Sequence, residues 1–370
     1  IKNGDGVMNT TSQLYQSEII MPKTRYIHIG FPKNMSTSLQ RDYFSQNPDL
    51  YHLGVGHDNH NLGYIDKTIE TACELYLRFA KDAIYEPKSG EIKDGFQKHF
   101  DMAEEDDRYK AIGISNEHMS FNFTPDGIDS QAKADRLYQI FGADTKIIMV
   151  IRSQDSLIMS LYRESLRIGY TESFNAYISY LYHYHDRNYV SDLFYDQAYK
   201  TYCERFGKEN VLVIPIEKTR DKNEHLITNT NGLPRITNEI SDHIGVANID
   251  QDLGHYNKAL SLSVLKQLLE LNNINRHGLG RSIYATAEPH RTIAYFGGQL
   301  DSAPPEATED RIKKWQNIRI AEVQSEHGLS EINLNTSQTT WQRLIDLFRN
   351  HNNNLENITG LNLKSLNYPF

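Results

Sequence analysis

Short apolar runs alternate with amphipathic stretches as far as about residue 246. "RYIHIG" (25–30) reads as a short buried strand, with a helix expected from about Ser36. "YKAIGIS" (109–115) is a second strand and "KIIMVIR" (146–152) a third. The third is a near-continuous apolar run, the signature of a central parallel strand buried on both faces. "NVLVIPIE" (210–217) reads as a further strand. Between them, "KTIETACELYLRFAKDAI" (67–84), "SQAKADRLYQIFG" (130–142) and "DSLIMSLYRESLRIG" (155–169) carry helical spacing, the last with an Asp cap expected at its start. Helices fill about 171–206, and "PRITNEISDHIGV" (234–246) adds another. Residues 50–65 look loop-like, and "PKSGEIKDG" (87–95) reads as a turn-rich break.

Strand, helix, strand, helix with apolar strands predicts an α/β fold: a doubly wound parallel sheet in three α/β/α layers. Beyond 246 the strand patterns stop. "LSVLKQLLELNNINR" and "TTWQRLIDLFRNHNNNLENITG" are helical, and "GGQLDSAPPEATED" (297–310) is an exposed turn or insertion. Residues 1–22 read as a loose lead-in and 23–370 as one domain, with an α/β core to 246 and a mainly helical part from 247.

Open parallel sheets bind ligands beyond the carboxyl ends of their strands. The first strand delivers Phe31, Pro32, Lys33, Asn34, Met35, Ser36, Thr37 and Ser38. A helix N-terminus attracts an anion through free N–H groups and its dipole; Lys33 adds a charge and the three hydroxyl residues add donors. The second strand delivers Asn116, Glu117 and His118; the third delivers Arg152, with Ser160 eight residues on in the following helix. A guanidinium binds phosphate through its planar fork, so that spacing suits one small anion. The Walker pattern is absent, because Lys33 precedes the small residues, and the third strand ends in arginine rather than a magnesium-binding aspartate.

Composition narrows the partners. The 370 residues carry a net charge of −9, which argues against nucleic acid, since that needs a basic surface. No apolar run is long enough for a membrane span and no signal peptide is visible. The chain starts at Ile1 rather than Met, which leaves an upstream segment open. The two cysteines, Cys73 and Cys203, read as reduced core thiols. Sequons occur at Asn9, Asn34, Asn122, Asn335 and Asn357; a glycan on Asn34 would block the loop, so a cytoplasmic setting is expected. The 23 tyrosines suit a binding cleft or a core equally. His57 and His60 lack a metal-ligand partner at suitable spacing, His183 and His185 read as surface, and His28 as a strand histidine.

"GFPKNMSTSL" and "IRSQDSLIMSLY" together resemble the two nucleotide motifs of sulfotransferases that use 3′-phosphoadenosine 5′-phosphosulfate (PAPS). The first resembles the phosphosulfate loop P-K-x-G-T-T-x-L; the second matches R-x7-S-x-Y through Arg152, Ser160 and Tyr162. "FGKENVLVIPIEKT" (206–219), "HYNKALS" (255–261) and "NNNLENITGLNL" (352–363) are similar to further family segments, more weakly. The resemblance implies a P-loop-like fold, PAPS as donor, 3′-phosphoadenosine 5′-phosphate (PAP) as product, and no metal. It implies that Lys33 stabilises the leaving bisphosphate and that Pro32 to Ser38, Arg152 and Ser160 bind nucleotide, with Asn257 and Lys258 closing over it. It places a general base at Glu117, with His118 as the alternative. The acceptor would be a hydroxyl or amine of a sugar, a phenol or a small natural product.

Two departures stand out. Met35 occupies the usual loop glycine, where ordinary helical geometry is expected for a methionine, and Gln154 replaces a proline. Met35 motivates a rival reading, a pseudoenzyme that holds the bisphosphate without catalysis; a divergent P-loop kinase is another.

Overall fold

Thr24–Gly30 forms β1, the middle strand of a five-stranded sheet in the computed structural model. The structure describes residues 22–55, 63–123, 127–167, 170, 172–219, 226–228, 234–249, 251–254, 265 and 338–370. The other described strands are β2 (Leu50–His52), β3 (Ala111–Ser115), β4 (Lys146–Ile151) and β5 (Val211–Pro215). Their order is β2-β3-β1-β4-β5, and every neighbouring pair is parallel. The chain leaves β1 toward β2 and β3 on one side and later adds β4 and β5 on the other. The sheet therefore reverses its winding at β1, and a crevice opens there beyond the strand ends.

The apolar runs explain the layers. Ile27, Ile29, Ile112, Ile114, Ile147 and Met149 alternate onto one face of the sheet. That face packs on α4 (Ser89–Glu104), α5 (Ser130–Phe141), α6 (Gln154–Arg167) and α8 (Tyr195–Phe206), through residues such as Phe96, Leu137, Leu157 and Tyr202. Tyr26, Ile148, Val150 and Ile214 take the opposite face. They pack on Leu39, Tyr43 and Phe44, which follow α1 (Ser36–Ser38), and on α9 (Arg235–Ile244). Strands buried on both faces have no polar alternation, as the sequence of β4 shows. The C-terminal α10 (Gln338–Thr359) lies against α8 and α7 (Phe174–His183), with Leu344, Phe348 and Leu355 buried. Among the described residues no helix is long and apolar enough to cross a membrane.

Several local expectations need correction. The stretch 87–95 is no break: α4 runs through it. Ile92, Phe96, His99, Phe100 and Ala103 supply its buried stripe, and Pro87 sits in the one-turn lead-in Glu86–Lys88, where proline costs no hydrogen bond. Gly95 gives α4 a close approach to Lys67–Thr71: a Cβ there would lie 2.8 Å from the Thr68 methyl, which would have to move. The loop expected at 50–65 begins with β2, an edge strand of three residues. The helix expected over 67–84 is interrupted: α2 (Lys67–Thr71) widens into a π-helical turn at Ala72–Tyr76, and α3 (Asp82–Tyr85) is separate. Asp155 does not cap α6 from outside but lies in its first turn, taking hydrogen bonds from the Ser153 hydroxyl and, at 2.7 Å, the Ser156 N–H. Both cysteines are free thiols. Residues 1–21, His57, His60, Asn257, Lys258 and the insertion at 297–310 lie outside the described residues.

Candidate anion-binding active site

The three strands whose ends carry the chemistry, β3, β1 and β4, are adjacent in the sheet. The segments that follow them meet at the switch point.

After β1, the Phe31 N–H donates to Val150 O of β4 at 2.7 Å. Phe31 itself is buried, ring edge against Tyr195. The chain then turns through two left-handed residues, Lys33 (φ 63°) and Met35 (φ 65°, ψ 14°). Asn34 between them has negative φ, and Ser36 opens α1. Alternating signs of φ aim successive N–H groups into one concavity, a backbone nest that suits an anion. The conformation expected for Met35 is thus corrected. It keeps the left-handed geometry that glycine adopts freely, at a cost of about 1–2 kcal/mol for a residue with a Cβ. Strain of this kind persists only where surrounding contacts hold it. Asn34 is one such contact: it is fully buried, and its Nδ2 donates to Val150 O at 2.9 Å. A side chain committed in this way leaves no room for a glycan.

The hydroxyls of this loop do not all face the concavity. Ser36 Oγ donates back to Phe31 O at 3.3 Å, and Ser38 Oγ donates to Gly254 O at 2.6 Å. Asp42 accepts the Gly254 N–H at 2.7 Å, so both backbone groups of Gly254 are pinned to the helix after the loop. Lys33, Met35 and Thr37 are half-buried, while Pro32, Asn34, Ser36 and Ser38 are buried. Lys33 Nζ ion-pairs with Glu164 Oε2 at 3.2 Å.

Arg152, just past β4, lies against the same loop, with Nη1 3.4 Å from Lys33 O. Its own carbonyl accepts from Tyr195 Oη at 2.8 Å. Ser160 and Glu164 are four residues apart on α6 and so share a face. Since Glu164 reaches Lys33, Ser160 stands on the side of α6 that faces the loop. Tyr162 points the other way, buried among Phe174 and Tyr177, with its hydroxyl on Glu172 O.

Behind Arg152 lies Glu217, in the short helical turn Ile216–Thr219 that follows β5. Its carboxylate accepts from the Ser153 N–H and from Tyr368 Oη, each at 2.9 Å. Burial raises its pKa, and those hydrogen bonds and the Arg152 charge oppose the rise. The signal was present as an acidic residue immediately after an apolar strand end.

After β3 comes a one-turn helix, Glu117–Met119. Asn116 caps it by accepting the His118 N–H at 2.9 Å, and its Nδ2 donates to Tyr64 Oη and Glu74 Oε1. Gly30, at φ 87°, shows how near this turn lies to β1: a Cβ there would sit 2.6 Å from Glu117 Cβ. Glu117 therefore lies over the end of β1, three residues before Lys33. It is half-buried, whereas His118 is buried with its ring against Phe123, centroids 5.5 Å apart.

The remaining histidines fall elsewhere. His28 is fully buried, its Nδ1 2.7 Å from Ser115 Oγ, and burial lowers its pKa to about 3. His183 ends α7, and His185 bonds to Tyr182 O. Among the described residues no three His, Cys, Asp or Glu side chains are grouped to hold a metal ion.

No protein-family model matches the sequence, and no curated protein matches it. Among solved structures, the crystal structure of a sulfotransferase from Alicyclobacillus acidocaldarius is similar over 68% of this chain and 93% of that one. The identity is 19% and the TM-score 0.42, too loose a likeness to assign a family or an activity to this chain.

Proposed function

We propose that this protein is a sulfotransferase that moves a sulfuryl group from PAPS to a hydroxyl or amine of a small acceptor. The observation that carries the reading is the nest at Lys33–Ser36 with Arg152 in contact with it, at the switch point of a parallel sheet. Two cations and converging N–H groups fit a ligand with more than one anionic group. An aspartate that would hold magnesium is missing after β4, where Arg152 stands instead.

The residues divide the work as follows. The nest and the α1 N-terminus bind the 5′-phosphosulfate. Arg152 and Ser160 hold the 3′-phosphate, and Glu217 with Tyr195 steadies Arg152 from behind. The acceptor oxygen or nitrogen attacks sulfur in line, a new bond to sulfur forms, and the S–O bond to the 5′-phosphate breaks. The bond's electron pair leaves with PAP, and Lys33 stabilises the charge that develops on the bridging oxygen. For this Lys33 exchanges Glu164 for the donor. Glu117 takes the acceptor's proton, since it is the half-buried acid over the strand end, while His118 is turned into aromatic packing.

Release of labelled sulfate or sulfated product from PAPS tests the reading. Lys33→Ala should lower the rate by about 10²–10³-fold, the usual effect of removing one transition-state donor. Equal rates in wild type and variant would overturn it.

A further inference from the structure

Lys133 lies on α5, a polar position outside the segments that follow the strands, yet its side chain is fully buried at 0% exposure. A buried ammonium is stable only if its protons find acceptors. Lys133 Nζ lies 2.5 Å from His118 O, 2.7 Å from Asn122 Oδ1 and 3.4 Å from Phe121 O. All three acceptors belong to the segment that follows Glu117. Asp192 supplies the countercharge and also accepts the Asn122 N–H at 2.8 Å. Burial pulls the ammonium toward neutrality, and the Asp192 charge opposes that.

The rest of the turn is held as completely. Ser120 Oγ donates to Ile29 O at 2.6 Å, and Tyr202 Oη donates to Met119 O at 2.9 Å. The carbonyls of His118, Met119 and Phe121 each accept a side-chain hydrogen bond, from Lys133, Tyr202 and Lys133. A turn this short cannot hold itself; the surrounding side chains fix it, and Glu117 is left as the half-buried side chain facing β1.

We infer that Lys133 is a positioning residue for catalysis: it clamps the Glu117–Phe121 backbone so that the Glu117 carboxylate stays aimed at the acceptor. The inference rests on the sulfuryl-transfer reading above. A misplacement of about 1 Å in a catalytic group can cost about 10²-fold in rate, so loss of the clamp should appear in kcat.

The test uses the full chain, with PAPS hydrolysis as the reaction, water being the acceptor, and calorimetry with PAP. Lys133→Met should lower kcat by about 10- to 100-fold while PAP affinity stays within about twofold. Added to Glu117→Gln, the same substitution should lower kcat by less than about twofold, because the clamp acts through a group already removed. Equal losses in both backgrounds, or a fall in PAP affinity that matches the fall in kcat, would make Lys133 a general prop and overturn the inference. If Lys133→Met does not fold, Tyr202→Phe carries the same comparison, with a loss of about three- to tenfold expected in the wild-type background only. An active wild type with Lys133→Met equally active sinks the clamp and leaves the sulfuryl-transfer reading standing. A wild type that neither binds PAP nor consumes PAPS sinks both.

Discussion

The loop after β1 and the turn after β3 stand beside each other and are built in opposite ways. The loop holds two non-glycine residues at positive φ, Lys33 and Met35, and is tied to β4 through Phe31 and Asn34. Its alternating φ forms a backbone nest of the kind that suits an anion. In the turn at 117–121 the carbonyls of His118, Met119 and Phe121 instead accept from the buried donors Lys133 and Tyr202. The loop spends conformational strain to present the backbone; the turn ties down three of its carbonyls and leaves Glu117 half-buried over β1. Binding an anion needs many weak donors converging, whereas removing a proton needs one base held at a fixed place.

That contrast can be broken at several points. Glu117→Gln should lower kcat by about 10² or more with little change in PAP affinity, since the proposed reading gives the carboxylate to proton transfer and not to nucleotide binding. A parallel loss of affinity would show that the turn and the loop are one binding surface and that the division is wrong.

His28 lies in β1 at the root of both elements: its carbonyl accepts the Asn116 N–H at 2.9 Å and its ring meets Ser115. Its folded pKa is depressed to about 3, below the ordinary value of 6.5, so the native state resists the proton that the unfolded chain accepts. The stability His28 contributes is therefore present above pH 6.5 and lost as pH falls toward 3. Denaturant unfolding should show a loss of up to about 1.4 kcal/mol per pH unit in that window beyond that of His28→Asn. Matching slopes in the two proteins would mean that the ring is charged in the folded state.

The smallest effect belongs to Met35→Gly. Release of left-handed strain, about 1–2 kcal/mol, is offset by about 0.5–1 kcal/mol of added chain entropy in the unfolded state. Stability should rise by no more than about 1.5 kcal/mol, and PAP affinity should hold or tighten. A large loss of affinity, read by calorimetry, would show that the methionine side chain and not the backbone shapes the loop.

Much of the layout was legible in the sequence because it depends on local patterns. The apolar runs of β1, β3 and β4 marked strands buried on both faces, and the polar residues just past each run marked the segments that the sheet order brings side by side. What escaped depends on distant contacts. The stripe Ile92, Phe96, Phe100 in α4 was present, but Pro87, Gly90 and Gly95 outweighed it until the packing of Gly95 on Thr68 gave the glycine a purpose. The left-handed backbone at Met35 follows from the sharp path between β1 and α1, which no propensity for methionine encodes. Lys133 looked like an ordinary polar position on an amphipathic helix. Only the fold brings its ammonium to the Glu117 turn, and only the fold sets Glu217 behind Arg152.

The central claim is that the crevice at β1 holds a nucleotide bisphosphate without a metal. Calorimetry with PAP, set against ATP with magnesium, tests it most directly. Heat is expected with PAP in the presence of a chelator, a large part of it lost in Arg152→Ala, with little or none from Mg-ATP. No heat with PAP together with binding of Mg-ATP would contradict it.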